Sequence, residues 1–504
     1  MRDLLFKIKR AFSYGGLRVV AFRTWMTLHR RRQARREEKR LAGLMAVSKR
    51  GAYTTKAVTV FILAGGDPTA FVDTAESVRS SGYRHLTVKE VDSGENEYEA
   101  LYKAVKEDTS PYFMVLFKGD RLKKGCIDIL IDLAVRENAP FTYSDMLFGG
   151  EGGESERNNA GEYSPDTLSS YNYIGNACFI GRKLFEKLEF DENRAVVSDA
   201  RGLVYDILRK ALPLGKKEKK KNTVCYAPIP LLQSEKSKEE IFFSETHIQD
   251  GLIEPDTKVS VIIPSRDHPE LLRKCLESLV EKNPLTAYEL IVVDNGSKNE
   301  NKCRYERLCD KYGAKYIYAT APFNFSAMCN KGCSQATGDY LLFLNDDTEF
   351  VTPSAIRKLA KSAEISYHGA VGAKLLYPSG KIQHIGVVGG LTPVHLMNGE
   401  EDKEDKWKRK TLPYNYDLVT GACLMIKASV FDEVKGFYEG LPVSYNDLDL
   451  CMKLREAGYF NMVRTDVVLI HYESETRGTD EETPEKIRAK IRDVKCLARR
   501  HREL

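Results

Sequence analysis

Asn345, Asp346 and Asp347 stand in a row directly after an apolar run from Tyr340 to Leu344. The run reads as a buried strand. Two adjacent carboxylates at its end are costly to desolvate unless something positive lies on them. The carboxyl edge of a parallel sheet is also where α/β proteins bind ligands. A divalent cation, Mg²⁺ or Mn²⁺, holding a diphosphate would meet both demands, since hard cations take oxygen ligands. A plain Asn-Asp-Asp turn closing a strand is the other reading. Further on, Asp447 and Asp449 open a helical pattern that stops at Gly458, at the helix end where the dipole favours anions. They are either simple caps, or Asp447 is a general base that takes a proton from an acceptor hydroxyl. His471 ends the apolar run 467–470 and is a structural histidine or a further ligand to a carboxylate-bound metal.

These residues need a scaffold, and from about Thr55 short apolar strands alternate with amphipathic helices. That pattern predicts an α/β fold with a mixed, mostly parallel sheet. It runs twice. Val58 to Leu63 resembles Val259 to Pro264, and Tyr112 to Asp120 corresponds to the strand that ends in Asn345, Asp346 and Asp347. Tyr173 to Ile180 corresponds to Leu418 to Met425, and the helix bearing Tyr205 to Leu208 to the one bearing Leu448 to Cys451. Anchors in one order imply two copies of one domain.

In the second copy, Val259 to Pro264 leads into Ser265, Arg266 and Asp267, and Glu289 to Val293 leads into Asp294, Asn295, Gly296 and Ser297. Both turns can offer backbone groups and a carboxylate to a base and ribose, with Asp294 placed to accept from an imide N–H. Ser326 opens a helix, as its N-cap or beside Asn324 and Asn330 as residues that reach a nucleotide. Gln383 and His384 either pack or face a ligand. The stretch Glu400 to Lys410, with Trp407, reads as an exposed loop after His395.

The chain has 504 residues, enough for several domains with sizeable cores, and an ordinary 42% hydrophobic and 30% charged composition. Charge is uneven. Met1 to Arg50 holds 15 Lys/Arg against 3 Asp/Glu, a local +12 within a total of +5, so the remainder is net −7. Leu4, Leu5, Ile8, Phe12, Leu17, Val20 and Trp25 recur at helical spacing among these cations. Such a helix could lie on an anionic membrane surface or pack on its own protein. No recognition module accompanies the basic run, so no nucleic-acid partner is expected. No apolar run approaches a membrane span, no signal-peptide block is expected, and the eleven cysteines include no CxxC pair. A cytoplasmic location follows, peripheral on the inner face of the cell membrane if the N-terminal helix binds lipid.

Taken together, Pro264-Ser265-Arg266-Asp267, Asp294-Asn295-Gly296-Ser297, Phe323-Asn324-Phe325-Ser326, Leu344-Asn345-Asp346-Asp347, Thr420-Gly421-Ala422-Cys423, Asn446-Asp447-Leu448-Asp449 and His471-Tyr472-Glu473-Ser474 resemble the family 2 glycosyltransferases of the GT-A fold. The likeness is strongest to two-domain bacterial enzymes of rhamnan, O-antigen and cell-wall polysaccharide assembly. It implies a Rossmann-like, metal-dependent, inverting transferase. The donor would be a nucleotide-diphospho-sugar, with UDP or dTDP favoured, and the acceptor a glycan or lipid-linked glycan. It implies that Pro264, Ser265, Arg266 and Asp294 hold the nucleoside, with Asn324, Ser326 and Asn330 nearby. It further implies that Asn345 and Asp346 complete a DxD-type site, that Asp347 and His471 hold the metal, and that Asp447 is the base. The leading Asn345 departs from that motif and passes ribose or metal duties to Asp346. A sugar nucleotidyltransferase and a non-catalytic assembly scaffold are the alternatives.

The first copy acts as an internal control. It has Lys118, Gly119 and Asp120 for Asn345, Asp346 and Asp347, Val204 for Asp447, Gln233 for His471 and Leu63 for Pro264, while Asp206 matches Asp449. It is expected to be a degenerate GT-A-like domain without catalysis. The expected layout is a basic helical region 1–54, the degenerate domain 55–240, a linker 241–257, the catalytic domain 258–480 and a C-terminal helix 481–504. In that last segment Thr483 is the expected N-cap and Pro484 the first helical residue.

Overall fold

The computed structural model describes residues 26–29, 31–52, 54–92, 94, 96–149, 155–212, 224–236, 250–254, 257–284, 287–389, 393–405, 408–472 and 484–501. They fall into two compact units. The first is Gln33–Ile248, and the second is Gln249–Leu504 with the described part of Met1–Arg32. The basic amphipathic pattern up to Trp25, the Lys-rich stretch 215–222, Trp407, Glu473, Ser474 and Thr483 lie outside the described residues. Among the described residues no helix is long and apolar enough to cross a membrane.

The strands of the first unit are β1 (Val58–Leu63), β2 (Leu86–Glu90), β3 (Tyr112–Phe117), β4 (Asp120–Leu122), β5 (Phe141–Phe148), β6 (Glu156–Arg157), β7 (Cys178–Gly181) and β8 (Cys225–Ser234). They form one sheet in the order β2-β1-β3-β7-β5-β8-β4, with β6 on β5. The second unit continues with β9 (Val259–Ser265), β10 (Tyr288–Asp294), β11 (Lys315–Tyr318), β12 (Tyr340–Leu344), β13 (Thr348–Phe350), β14 (His368–Leu376), β15 (Ile382–His384), β16 (Val387–Val388), β17 (Val394–His395), β18 (Tyr414–Tyr416), β19 (Cys423–Lys427) and β20 (Phe460–His471). Its main sheet runs β11-β10-β9-β12-β19-β14-β20-β13.

Without β11 the two orders are one order. The senses agree as well: β1 is parallel to β2 and β3 as β9 is to β10 and β12. The pairs β3–β7 and β12–β19 are antiparallel, β5–β8 and β14–β20 parallel, and β4–β8 and β13–β20 antiparallel. The units differ between their second and third matching strands. In the first, one helix (Glu97–Glu107) joins β2 to β3. In the second, a helix (Asn299–Tyr312), β11 and another helix (Phe325–Cys333) intervene.

The second sheet is covered on both faces, which is why its strands read as near-continuous apolar runs. Successive side chains point to opposite sides. Val261, Ile263, Leu342 and Leu344 join one apolar cluster, and Ile262, Leu341 and Phe343 the other. A side chain at Gly332 would collide with Ile262, so the helix Phe325–Cys333 lies close on β9.

Candidate active site

The run from Asn345 to Asp347 leaves the carboxyl end of β12, between β9 and β19. Asp346 and Asp347 are 6% and 4% exposed. Ser265, the last residue of β9, donates to Asp346 Oδ2 and shares a 2.5 Å hydrogen bond with the Tyr305 hydroxyl. Burial, and then the charge of Asp347, pushes the Asp346 carboxyl up to about 7.

Pairing of β13 with β20 sets Thr348 opposite His471, and the Tyr472 N–H donates to the Asp347 carbonyl at 2.9 Å. His471 Nε2 consequently lies 3.1 Å from Asp347 Oδ1. No hydrogen bond joins them, and that buried oxygen has no hydrogen-bond partner. Gln383 explains why. Its amide nitrogen donates to the His471 carbonyl at 3.3 Å, which turns its amide oxygen toward His471 Nδ1 at 2.7 Å. Nδ1 therefore donates to Gln383, and Nε2 is directed toward the Asp347 carboxylate. Asn345 Nδ2 lies 3.4 Å from the same Nε2.

A buried carboxylate oxygen without a hydrogen-bond partner, 3.1 Å from an imidazole nitrogen, is a donor pair that a cation between or beside them would satisfy. A divalent cation with imidazole and carboxylate ligands fits this donor set. Among the described residues no group of three or more His, Cys, Asp or Glu side chains is arranged to hold a metal by itself. Asp347 and His471 would supply two ligands to such a cation, and the remainder would come from a diphosphate and water.

Asp447 is tied to the same place through β19. The Asn345 N–H donates to the Ala422 carbonyl at 3.0 Å, and the Gly421 N–H donates to Asp447 Oδ2 at 3.0 Å. The Leu448 N–H holds Oδ1 at 2.8 Å. The carboxylate thus sits at the N-terminus of its helix (Asn446–Glu456), one hydrogen-bonded turn away from the Asn-Asp-Asp strand end.

Residues 260–435 match the family model described as Glycosyl transferase family 2. The chain carries a family 2 glycosyltransferase domain. An uncharacterized protein, y4gI, of Sinorhizobium fredii is 40% identical over 249 residues, covering 48% of this chain and 27% of that protein. The O-antigen biosynthesis protein RfbC of Myxococcus xanthus is 35% identical over 237 residues, covering 44% of this chain and 18% of its own. The chain therefore spans about a quarter or less of the length of these two relatives. The solved structure of a mannosyltransferase from Pyrobaculum calidifontis, in complex with GDP-Man and Mn²⁺, is similar at a TM-score of 0.35 and 16% identity. That likeness covers 46% of this chain and 61% of the mannosyltransferase. The expected fold class, two α/β GT-A-like domains in tandem, agrees with the repeated strand order.

Within the glycosyltransferase domain several expected donor residues have other partners. Asn324, not Ser326, is the N-cap of its helix: its Oδ1 accepts from the Ala327 N–H at 3.0 Å and its Nδ2 donates to the Glu439 carbonyl. Ser326 Oγ donates to the Leu441 carbonyl, and Asn330 Nδ2 donates to the Phe437 carbonyl and to Glu439 Oε1. All three fasten the loop 436–442 that leads to Asp447. Asp294 is fully buried, its Oδ1 accepting from Ser297 and its Oδ2 from the Tyr316 hydroxyl at 2.5 Å. It shapes the turn after β10. Pro264 is buried opposite Val293, whereas Arg266 is exposed, with Asp267 its nearest carboxylate at 3.6 Å.

Sequence reasoning did not find Tyr305 or Tyr316 beneath the turns after β9 and β10, nor the contact of Gln383 with His471. A tyrosine in a helical or strand pattern reads as core. The residue on which its hydroxyl ends depends on tertiary contacts between separate segments.

Proposed function

We propose that the second unit transfers a glycosyl group from a nucleotide-diphospho-sugar to a hydroxyl of a growing bacterial surface glycan, with inversion at the anomeric carbon. The observation that carries this reading is the unbroken connection from Asn345 through Ala422 and Gly421 to Asp447. It couples a diphosphate-binding strand end to a carboxylate held by two backbone N–H groups. A divalent cation at Asp347 and His471 would stabilise the charge that develops on the departing diphosphate.

The remaining roles belong to the chain itself. Asp346, anchored by Ser265, and Asn345 face the ribose and phosphate side. The turn built on Asp294 receives the nucleoside, UDP or dTDP, and the exposed Arg266 is free to move onto the phosphates. Asp447 takes the acceptor proton as the hydroxyl attacks from the face opposite the leaving group. Only charge that grows in the transition state is rewarded by this arrangement. The family match supports glycosyl transfer, and the relation to an O-antigen biosynthesis protein supports a polysaccharide or lipid-linked glycan acceptor.

The first unit is proposed to be catalytically silent and to serve assembly or acceptor binding. A membrane-surface role for the N-terminal basic segment is tested by liposome flotation of the intact chain against one starting near Thr55.

The deciding experiment incubates the full chain and Mn²⁺ with a panel of UDP-, dTDP- and GDP-sugars. Nucleoside diphosphate release and the anomeric configuration of the product are followed by NMR. One donor is expected to be consumed with inversion. A retained configuration, or release of pyrophosphate rather than a nucleoside diphosphate, would remove the reading.

A further inference from the structure

Asp449 lies two residues after Asp447 on the same helix and is 0% exposed. An unpaired carboxylate there would lose several kcal/mol of hydration. Three cations meet it instead. Arg500 Nε lies 2.6 Å from Oδ1 and its Nη2 3.3 Å from Oδ2, His501 Nε2 lies 2.9 Å from Oδ1, and Lys453 Nζ lies 3.7 Å from Oδ2. The other nitrogen of His501, Nδ1, lies 2.7 Å from Glu456 Oε1. With a carboxylate on each side both ring nitrogens must donate, so the ring is an imidazolium bridging the two ends of the helix Asn446–Glu456.

The same C-terminal helix (Pro484–Arg500) grips the approach to Asp447. The Arg500 guanidinium lies 3.7 Å over the Tyr438 ring, and Asp493 Oδ2 accepts from the Ser444 N–H at 3.2 Å. Val494 and Leu497 are buried in the cluster that holds Phe437, Leu441, Leu448 and Cys451. Tyr445, just ahead of the helix, has φ +64°. A bulky residue keeps that left-handed conformation only when its surroundings impose it. The loop and first turn that aim Asp447 are thus fixed from outside by one short stretch of sequence.

We propose that Arg500 and His501 are positioning residues for proton transfer at Asp447, acting by locking Asp449 and with it the first turn of the helix. The proposal rests on Asp447 being the base. A displacement of about 1 Å at such a group costs roughly 10²-fold in rate.

The test uses the full chain and the donor identified by the panel, with nucleoside diphosphate release as turnover, and UDP or dTDP with Mn²⁺ as the binding probe in calorimetry. Three proteins are compared with the wild type: Arg500→Ala with His501→Gln, Asp447→Asn alone, and all three substitutions together. The paired variant should lose about 10²-fold in kcat, with donor KM and nucleotide Kd unchanged. The triple variant should be no slower than Asp447→Asn. An equal further loss in the Asp447→Asn background, or weakened nucleotide binding, would mean a general structural role and overturn the proposal. A slow Asp447→Asn beside an unimpaired paired variant would sink the proposal alone. Normal turnover of Asp447→Asn would sink the base assignment and the proposal with it. If the paired variant does not fold, Arg500→Lys, which keeps the charge but loses the bidentate fork, enters the same cycle.

Discussion

At the end of β3 the first unit has Lys118, Gly119 and Asp120 where the second, at the end of β12, has Asn345, Asp346 and Asp347. Lys118 Nζ lies 2.7 Å from Asp67 Oδ2, so the residue that matches Asn345 is a cation with its own carboxylate partner. Asp120 survives, fully buried, with its Oδ2 accepting from the Phe117 N–H and from Asn176 Nδ2 at 3.0 Å each. Across β4 and β8, Gln233 faces Arg121 as His471 faces Thr348 across β13 and β20. Val204 is buried where Asp447 would stand. One feature common to both units is the ion pair under the helix. Asp206 is held by Arg194 at 2.9 and 3.0 Å and by Tyr98, while Asp449 is held by Arg500 and His501. Residues that stabilise the helix are thus kept in both, and residues that could perform transfer stand in one.

That comparison breaks first at the proposed base. Asp447→Asn should bind donor normally and lose transfer by on the order of 10²–10⁴-fold, whereas Asp206→Asn should leave the rate alone and lower the melting temperature. Equal effects of the two on turnover would erase the distinction between the units. Asp347→Ala should abolish Mn²⁺-dependent nucleotide binding in calorimetry. Asp120→Ala should leave it intact and destabilise the first unit by about 1–3 kcal/mol, the cost of stranding buried donors. Gln383→Leu comes next. It frees His471 to rotate or change tautomer and should weaken Mn²⁺ affinity by about 10–100-fold, measured by metal titration of nucleotide binding. Unchanged affinity would show that the ring needs no second partner.

The strand end, the duplication and the helix start at Asp447 were legible because local pattern carries them: an apolar run ending in acids, an order of motifs recurring, two aspartates opening a helix. The Asn299–Tyr312 helix and β11, and their absence from the first unit, emerge only from the sheet order. Asn324, Ser326 and Asn330 show the opposite case. Short polar side chains at a helix start fit both a ligand and a neighbouring loop, and only the fold brings Phe437, Glu439 and Leu441 onto them. The last helix carries Ile487, Ile491, Val494 and Ala498 as an apolar stripe in its sequence. Ile491 and Val494 are buried, and Leu497 with them. Nothing local shows that Arg500 and His501 reach back some 50 residues to Asp449.

The smallest expected effect separates the two ion pairs by their chemistry. Burial lowers the His501 pKa, but its hydrogen bonds to Asp449 and Glu456 outweigh burial and hold the ring above its ordinary 6.5. The folded state therefore binds more protons than the unfolded state between 6.5 and the raised value, and stability falls with pH across that window. The contribution of His501 is complete below about 6.5 and gone above its folded pKa. Arg500, also paired with Asp449, has no proton to lose in this window, whereas burial lowers the pKa of Lys453. The melting temperature of the second unit should exceed that of a His501→Gln variant at pH 5.5–6, and the difference should shrink steadily toward pH 8.5. Arg194, which has no proton to lose in that range, makes the counterpart: the penalty of Arg194→Gln in the first unit should not change with pH. Parallel curves for His501→Gln would mean that folding leaves the ring's affinity for its proton unchanged, and the pairing with two carboxylates would then need a different account.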